Sequence, residues 1–185
     1  MKKEDFILFS GGAAGSEEAF GVNAEKFGIE EINYTFEGHE IKRTRGIRIL
    51  NHEELLQGDV SLTYVSKIMS REYPRTKVFR RILQSIWYQI NSSQEIFVIG
   101  NIMEDKTVRG GTGWGAEFAK ICNKDLFVFD QTTEQWHKWG KDHWEQIEAP
   151  KITKQHFSGT GTRQLSDSGK KAIDDLFTRS FGELE

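Results

Sequence analysis

Three short glycine-rich windows hold the residues of this chain whose types and spacing could do chemistry. The first is Ser10-Gly11-Gly12-Ala13-Ala14-Gly15-Ser16. The second is Arg109-Gly110-Gly111-Thr112-Gly113-Trp114-Gly115-Ala116-Glu117, and the third is Phe157-Ser158-Gly159-Thr160-Gly161-Thr162-Arg163. Together they contain nine of the 18 glycines. Ordering a glycine costs roughly 0.5–1 kcal/mol more than ordering alanine, so clusters of glycines suggest loops whose backbone N–H groups approach a ligand. In the first window Ser10, Gly11, Gly12, Gly15 and Ser16 are expected to hold a phosphate, because a helix N-terminus offers unpaired N–H donors and partial positive charge. That window has neither the Gly-Lys-Ser/Thr of a Walker loop nor a strict Gly-x-Gly-x-x-Gly, and its other reading is a tight strand-to-helix turn without ligand. Arg109, Gly110, Gly111, Thr112, Gly113 and Trp114 are candidates for a second phosphate or a sugar. Glu117, one helical turn further on, is the candidate catalytic residue. A carboxylate there suits a ribose hydroxyl, a protonated base or general acid–base chemistry; its plainer use is compensation of the helix dipole. Gly159, Thr160, Gly161, Thr162 and Arg163 supply hydroxyls, N–H groups and a guanidinium fork, and are expected to close the site.

Alternating strands and helices must position these windows. Residues 6–9 form an apolar run expected of a strand buried on both faces. A helix is expected from Ser16 to about Phe27, stopped by Gly28, and a second strand over 32–36. Residues 59–72 read as helix up to Pro74. A longer helix over 76–91 carries Val78, Phe79, Ile82, Leu83, Ile86, Trp87 and Ile90 on one stripe. Residues 95–99 read as a central strand, 114–123 as helix and 126–129 as another buried strand. A hairpin with strands 135–139 and 143–147 turns at Gly140-Lys141-Asp142, a last strand covers 154–158, and Ser166 caps a final amphipathic helix. This order predicts an α/β fold: a three-layer Rossmann-like sandwich with a mostly parallel sheet and an added β-hairpin near 135–147, in a single domain over 1–185.

Composition removes other classes. The 185 residues carry 25 Lys+Arg against 28 Asp+Glu, a net charge of −3, so the whole molecule gives no reason to bind nucleic acid. No apolar run reaches the roughly 20 residues of a membrane span, and Met1-Lys2-Lys3-Glu4-Asp5 lacks a signal peptide's apolar segment, so a cytoplasmic location is expected. One cysteine excludes an internal disulfide and a cysteine-rich zinc site; Cys122 is expected in the core. His39, His52, His137, His143 and His156 show no metal-ligand spacing, so neither metal nor cofactor is expected. The basic run 42–48 and Arg71, Lys77, Arg80 and Arg81 read as solvated faces, with Arg75 a candidate anion contact. Trp136, Trp139 and Trp144 are expected to cover a sheet edge or to contact another subunit in a homodimer; stacking on a ligand base is the sharper alternative.

Ser10-Gly11-Gly12-x-x-Gly15 after one strand, and Gly110-Gly111-x-Gly113-x-x-x-Glu117 after another, resemble the SLOG superfamily of Rossmann-like proteins over roughly residues 6–130. This group includes the LOG-type phosphoribohydrolases, DNA-processing Smf proteins and molybdenum-cofactor carriers. The LOG-type motif reads Pro-Gly-Gly-x-Gly-Thr-x-x-Glu, and Gly110, Gly111, Gly113 and Glu117 match it position by position. Arg109 stands for its proline and Trp114 for its threonine. The family's catalytic arginine has no matching position, since Arg80 and Arg81 lie earlier in their helix. The resemblance implies a nucleotide or nucleotide-derived phosphate ligand. As alternatives it implies hydrolysis of a nucleoside monophosphate's N-glycosidic bond with Glu117 at the ribose, or a cofactor carrier without chemistry.

Overall fold

The apolar runs predicted as buried strands form the middle of an eight-stranded sheet in a computed structural model that describes residues 2–182. In chain order the strands are β1 (Ile7–Ser10), β2 (Glu30–Thr35), β3 (Ile47–Ile49), β4 (Glu95–Gly100), β5 (Asp125–Asp130), β6 (Gln135–Trp139), β7 (Trp144–Ile147) and β8 (His156–Gly161). They stand side by side as β3-β2-β1-β8-β4-β5-β6-β7. Every pair from β3 across to β5 is parallel, while β6 and β7 add an antiparallel hairpin.

Alternation along a strand sends neighbouring side chains to opposite faces, so a strand covered on both sides is apolar throughout. Strand β4 shows this. Phe97 and Ile99 join Phe20 and Phe177 of α1 (Ser16–Phe27) and α6 (Asp167–Phe181) on one face. Ile96 and Val98 join Leu83, Ile86 and Ala116 on the other, where α3 (Asp59–Met69), α4 (Lys77–Asn91) and α5 (Thr112–Ile121) lie. The result is the three-layer α/β sandwich expected from the pattern. No described helix is long and apolar enough to cross a membrane.

Two elements between β2 and α3 lie outside the sequence expectations. Strand β3 has three residues, all exposed, in the stretch read as a basic run. A three-residue segment carries no readable period. Its neighbour α2 (His52–Leu56) does carry a signal: Asn51 and Glu54 form a reciprocal capping box, with the Glu54 N–H donating to Asn51 Oδ1 at 2.9 Å.

The third glycine window is also different from expectation. Gly159, Thr160 and Gly161 belong to strand β8 rather than to a loop, and that strand is wedged between β1 and β4. Packing explains the glycine: a Cβ added at Gly159 would lie 2.3 Å from Phe20 Cγ of α1. At the far edge Trp136 packs into the core at 5.5 Å from Phe129, while Trp139 and Trp144 meet edge to face at 5.0 Å. The hairpin therefore covers the β5 edge within one chain. Cys122 is exposed instead of buried, because α5 ends at Ile121 and the turn carries it to the surface.

Replacing Gly159 by alanine should destabilise the protein by about 1–3 kcal/mol through overpacking, lowering Tm at about 2–4 °C per kcal/mol for a domain of this size. A calorimetric Tm unchanged by Gly159→Ala would contradict this packing.

Candidate functional site

All parallel strands end at one edge, and the three glycine windows follow or complete β1, β4 and β8, which are adjacent there. The connection from β1 leads to one side of the sheet and the connection from β4 to the other, and ligand crevices form where such connections diverge. Here the crevice is a cavity of about 490 Å³, within the range of small-molecule sites. Arg109, Gly110, Gly111 and Thr112 line it from the β4–α5 loop, and Thr160, Gly161, Thr162 and Arg163 from β8 and the segment after it. Phe79, Ile82 and Ile86 of α4 make an apolar wall.

The floor holds a residue that the sequence argument missed. Glu17, in the first turn of α1, is 7% exposed and lines the cavity. Its Oε2 accepts the Ala13 N–H at 3.0 Å and its Oε1 accepts the Thr160 hydroxyl at 3.0 Å. Gln89 of α4 lies against it. A Cβ at Gly11 would fall 2.6 Å from Gln89 Nε2 and 2.7 Å from Glu17 Oε2, so Gly11 leaves room for this carboxyl–amide pair. Burial pushes the Glu17 carboxyl above its ordinary value of 4.5, opposed by hydrogen bonds from Ala13, Thr160 and Gln89 and by the Arg163 charge. Glu17 is the one carboxylate lining the cavity among the described residues. The available signal is its place: a glutamate at the second position of the helix that follows the first glycine window.

The rim is shaped by Arg71, from the segment between α3 and α4. Its guanidinium donates to Val108 O and Gly110 O at 3.3 Å each and to Thr107 Oγ1 at 2.7 Å, holding the β4–α5 loop in place. Arg109 projects from that loop and Arg163 from the one after β8. Both are exposed, and neither side chain is hydrogen-bonded or ion-paired among the described residues. His39 lines the cavity with its ring stacked on Phe36 at 4.6 Å and its Nδ1 3.0 Å from Thr35 Oγ1. Its Nε2 is buried without a partner. Burial, aided by the Arg163 charge, lowers its pKa below the ordinary 6.5 and so favours the neutral ring.

Other predicted residues serve the frame. The Ser10 hydroxyl donates to Gly159 O at 2.6 Å. Gly12, at φ +69°, turns its carbonyl to the Lys42 and Arg43 N–H groups. Gly15, at φ +89°, backs onto the Arg163 backbone, where an added Cβ would come within 2.5 Å of Arg163 O. Ser16 directs both its N–H and its hydroxyl to Thr162 O, at 3.1 and 2.7 Å, so these donors of the α1 N-terminus are engaged within the chain. Gly113 packs on Val108 O, Trp114 is buried 5.6 Å from Tyr73, and Gly159 lies under Phe20.

Glu117 does not line the cavity. It is buried in an ion pair with Lys120 at 2.5 Å, and Lys120 sits 3.8 Å from the centre of the Trp139 ring. Its spacing in the second window specified a distance along the helix, and the carboxylate projects towards the hairpin instead. Arg43 pairs with Glu31 and Glu25, Arg80 with Asp59 above the Tyr73 ring, and the exposed Arg75 with Glu72, so none of these lines the cavity. Among the described residues no group of three or more His, Cys, Asp or Glu is placed to hold a metal ion.

A carboxyl whose folded pKa lies above its unfolded value stabilises the fold while protonated, and that contribution is lost as pH rises above about 4.5 towards the folded pKa. Glu17→Gln removes this penalty. Its Tm relative to wild type should therefore rise between pH 4.5 and pH 7 in matched calorimetry; a constant difference would contradict the burial of an ionisable carboxyl here.

No protein-family model, curated protein or solved structure matches this chain.

Proposed function

We propose that the cavity binds a nucleotide or a nucleotide-derived phosphate. The observation that carries this reading is the pair of guanidiniums without ion pairs among the described residues, Arg109 and Arg163, set on the rim of one polar-floored cavity. Guanidinium forks match phosphate oxygens. Phe79, Ile82 and Ile86 offer an apolar surface for a base, while Glu17, Gln89 and Thr160 offer hydrogen bonds to a sugar. The resemblance of Gly110, Gly111 and Gly113 to the LOG-type loop supports the same ligand class.

A second reading is favoured by Glu17. A carboxyl with a raised pKa inside a ligand cavity suits proton transfer to a leaving group. In a nucleoside monophosphate N-glycosidase, water would add at C1′ while the base leaves with a proton, giving free base and ribose 5-phosphate. On this reading Glu17, and not Glu117, is the catalytic carboxylate.

A ligand at 100 times its Kd adds roughly 2.7 kcal/mol to stability, so one or more nucleotides in a broad panel should raise Tm by several degrees. Arg109→Ala and Arg163→Ala should each weaken that ligand about 10- to 100-fold, the worth of a hydrogen bond to a charged group. An unresponsive wild-type Tm across the panel would sink the binding reading. For the glycosidase reading, chromatography of the bound nucleotide after incubation should detect free base with wild type and Glu117→Gln but not with Glu17→Gln. Binding without release would identify a carrier.

A further inference from the structure

We propose that Glu17 and Gln89 form an acceptor pair for the vicinal hydroxyls of a ribose, so that the site selects ribonucleotides over deoxyribonucleotides. This rests on the nucleotide reading of the cavity and assigns the part of the ligand that its floor takes.

Gln89 is 1% exposed, lines the cavity, and has an Oε1 with no hydrogen-bond partner. Buried carbonyl oxygens without a donor are rare, and one beside a cavity marks a place where a donor is to be supplied. The amide is hydrogen-bonded to the Glu17 carboxyl, and its Nε2 lies beside that carboxyl on the side where Gly11 has no side chain. That leaves Oε1 as the free end. Glu17 accepts from Ala13 at Oε2 and from Thr160 at Oε1, and the Gln89 amide gives its carboxyl a third bond. A carboxylate has about four acceptor sites, so capacity remains.

The floor therefore offers two adjacent acceptors, and a matching ligand group must bring two donors a short distance apart. A vicinal diol does so. Among base edges only guanine's N1–H and N2–H2 also set two donors side by side, and the apolar wall of Phe79, Ile82 and Ile86 is the surface that suits the face of a base. The charge arrangement points the same way. Arg163 lies on the rim of the same cavity and is close enough to act on the Glu17 carboxyl. An anion held by Arg163 and a diol held by Glu17 are the two ends of a 5′-phosphorylated ribose, which leaves the Phe79, Ile82 and Ile86 wall for the face of the base.

The test is calorimetric titration of the full chain with the four common ribonucleoside 5′-monophosphates and their 2′-deoxy and 3′-deoxy counterparts. Wild type should bind at least one ribonucleotide roughly tenfold or more tightly than either deoxy form, as expected for loss of a hydrogen bond to a buried charged group. In Glu17→Gln and Gln89→Met, each first shown to melt cooperatively, that ratio should fall towards one. If either variant does not fold, the wild-type ratio decides. Equal binding of ribo and deoxy forms by wild type overturns this proposal and leaves the nucleotide reading standing. A ratio preserved in both folded variants overturns the assignment to Glu17 and Gln89. Binding of no nucleotide overturns both readings together.

Discussion

The cleft depends on the backbone of one residue, Thr162, directly after β8. The Thr162 carbonyl accepts two bonds from Ser16, and the Thr162 N–H donates to Ile99 O at 2.9 Å. The first turn of α1, the end of β4 and the segment leading to α6 are thus joined at a single residue. The arrangement requires β8 to stand between β1 and β4, which in turn requires Gly159 to admit the Phe20 ring. Glu17 follows from this, since its acceptor geometry uses Thr160 from β8 and Ala13 from the β1–α1 turn.

Charge is distributed to the same end. The chain carries a net charge of −3, and several of its arginines are neutralised at close range, Arg43 by Glu31 and Glu25, Arg80 by Asp59. Arg71 faces backbone carbonyls and orders a loop. Two guanidiniums at the cavity mouth remain outside any ion pair among the described residues. A local cationic field needs only such a residue pair, which is why the global balance was uninformative about it.

Much of the architecture was legible because long segments repeat their period. The stripe of Leu83, Ile86 and Ile90 and the runs at Ile96–Ile99 and Leu126–Phe129 specify helix and buried strands directly. Strand β3 was not, since three exposed residues held by β2 have no pattern of their own. In the site, the glycine windows pointed to the edge where the cavity lies, but composition could not separate glycines that open onto the cavity from glycines that admit a neighbour. Gly11, Gly15 and Gly159 make room for Gln89 with Glu17, the Arg163 backbone and Phe20 respectively. Glu17 and Glu117 look alike in sequence, each in the opening turns of a helix after a glycine loop. What separates them is tertiary: Lys120 and the tryptophan hairpin meet one, and Thr160 and Gln89 meet the other.

The central position of β8 also governs how the chain reaches this state. Strands β1 to β3 and strands β4 to β7 share no strand pair; only β8 joins them. Closing the sheet brings residues such as Ser10 and Gly159 together across 149 positions of chain, and contacts of such separation form slowly. While the polypeptide is being synthesised, both the β1 and the β4 edges stay open until His156 and its successors are available to pair with them. Open apolar edges recruit other chains. The period of greatest exposure to aggregation therefore lasts until β8 is available, and the strand that completes the cavity is also the one that ends it.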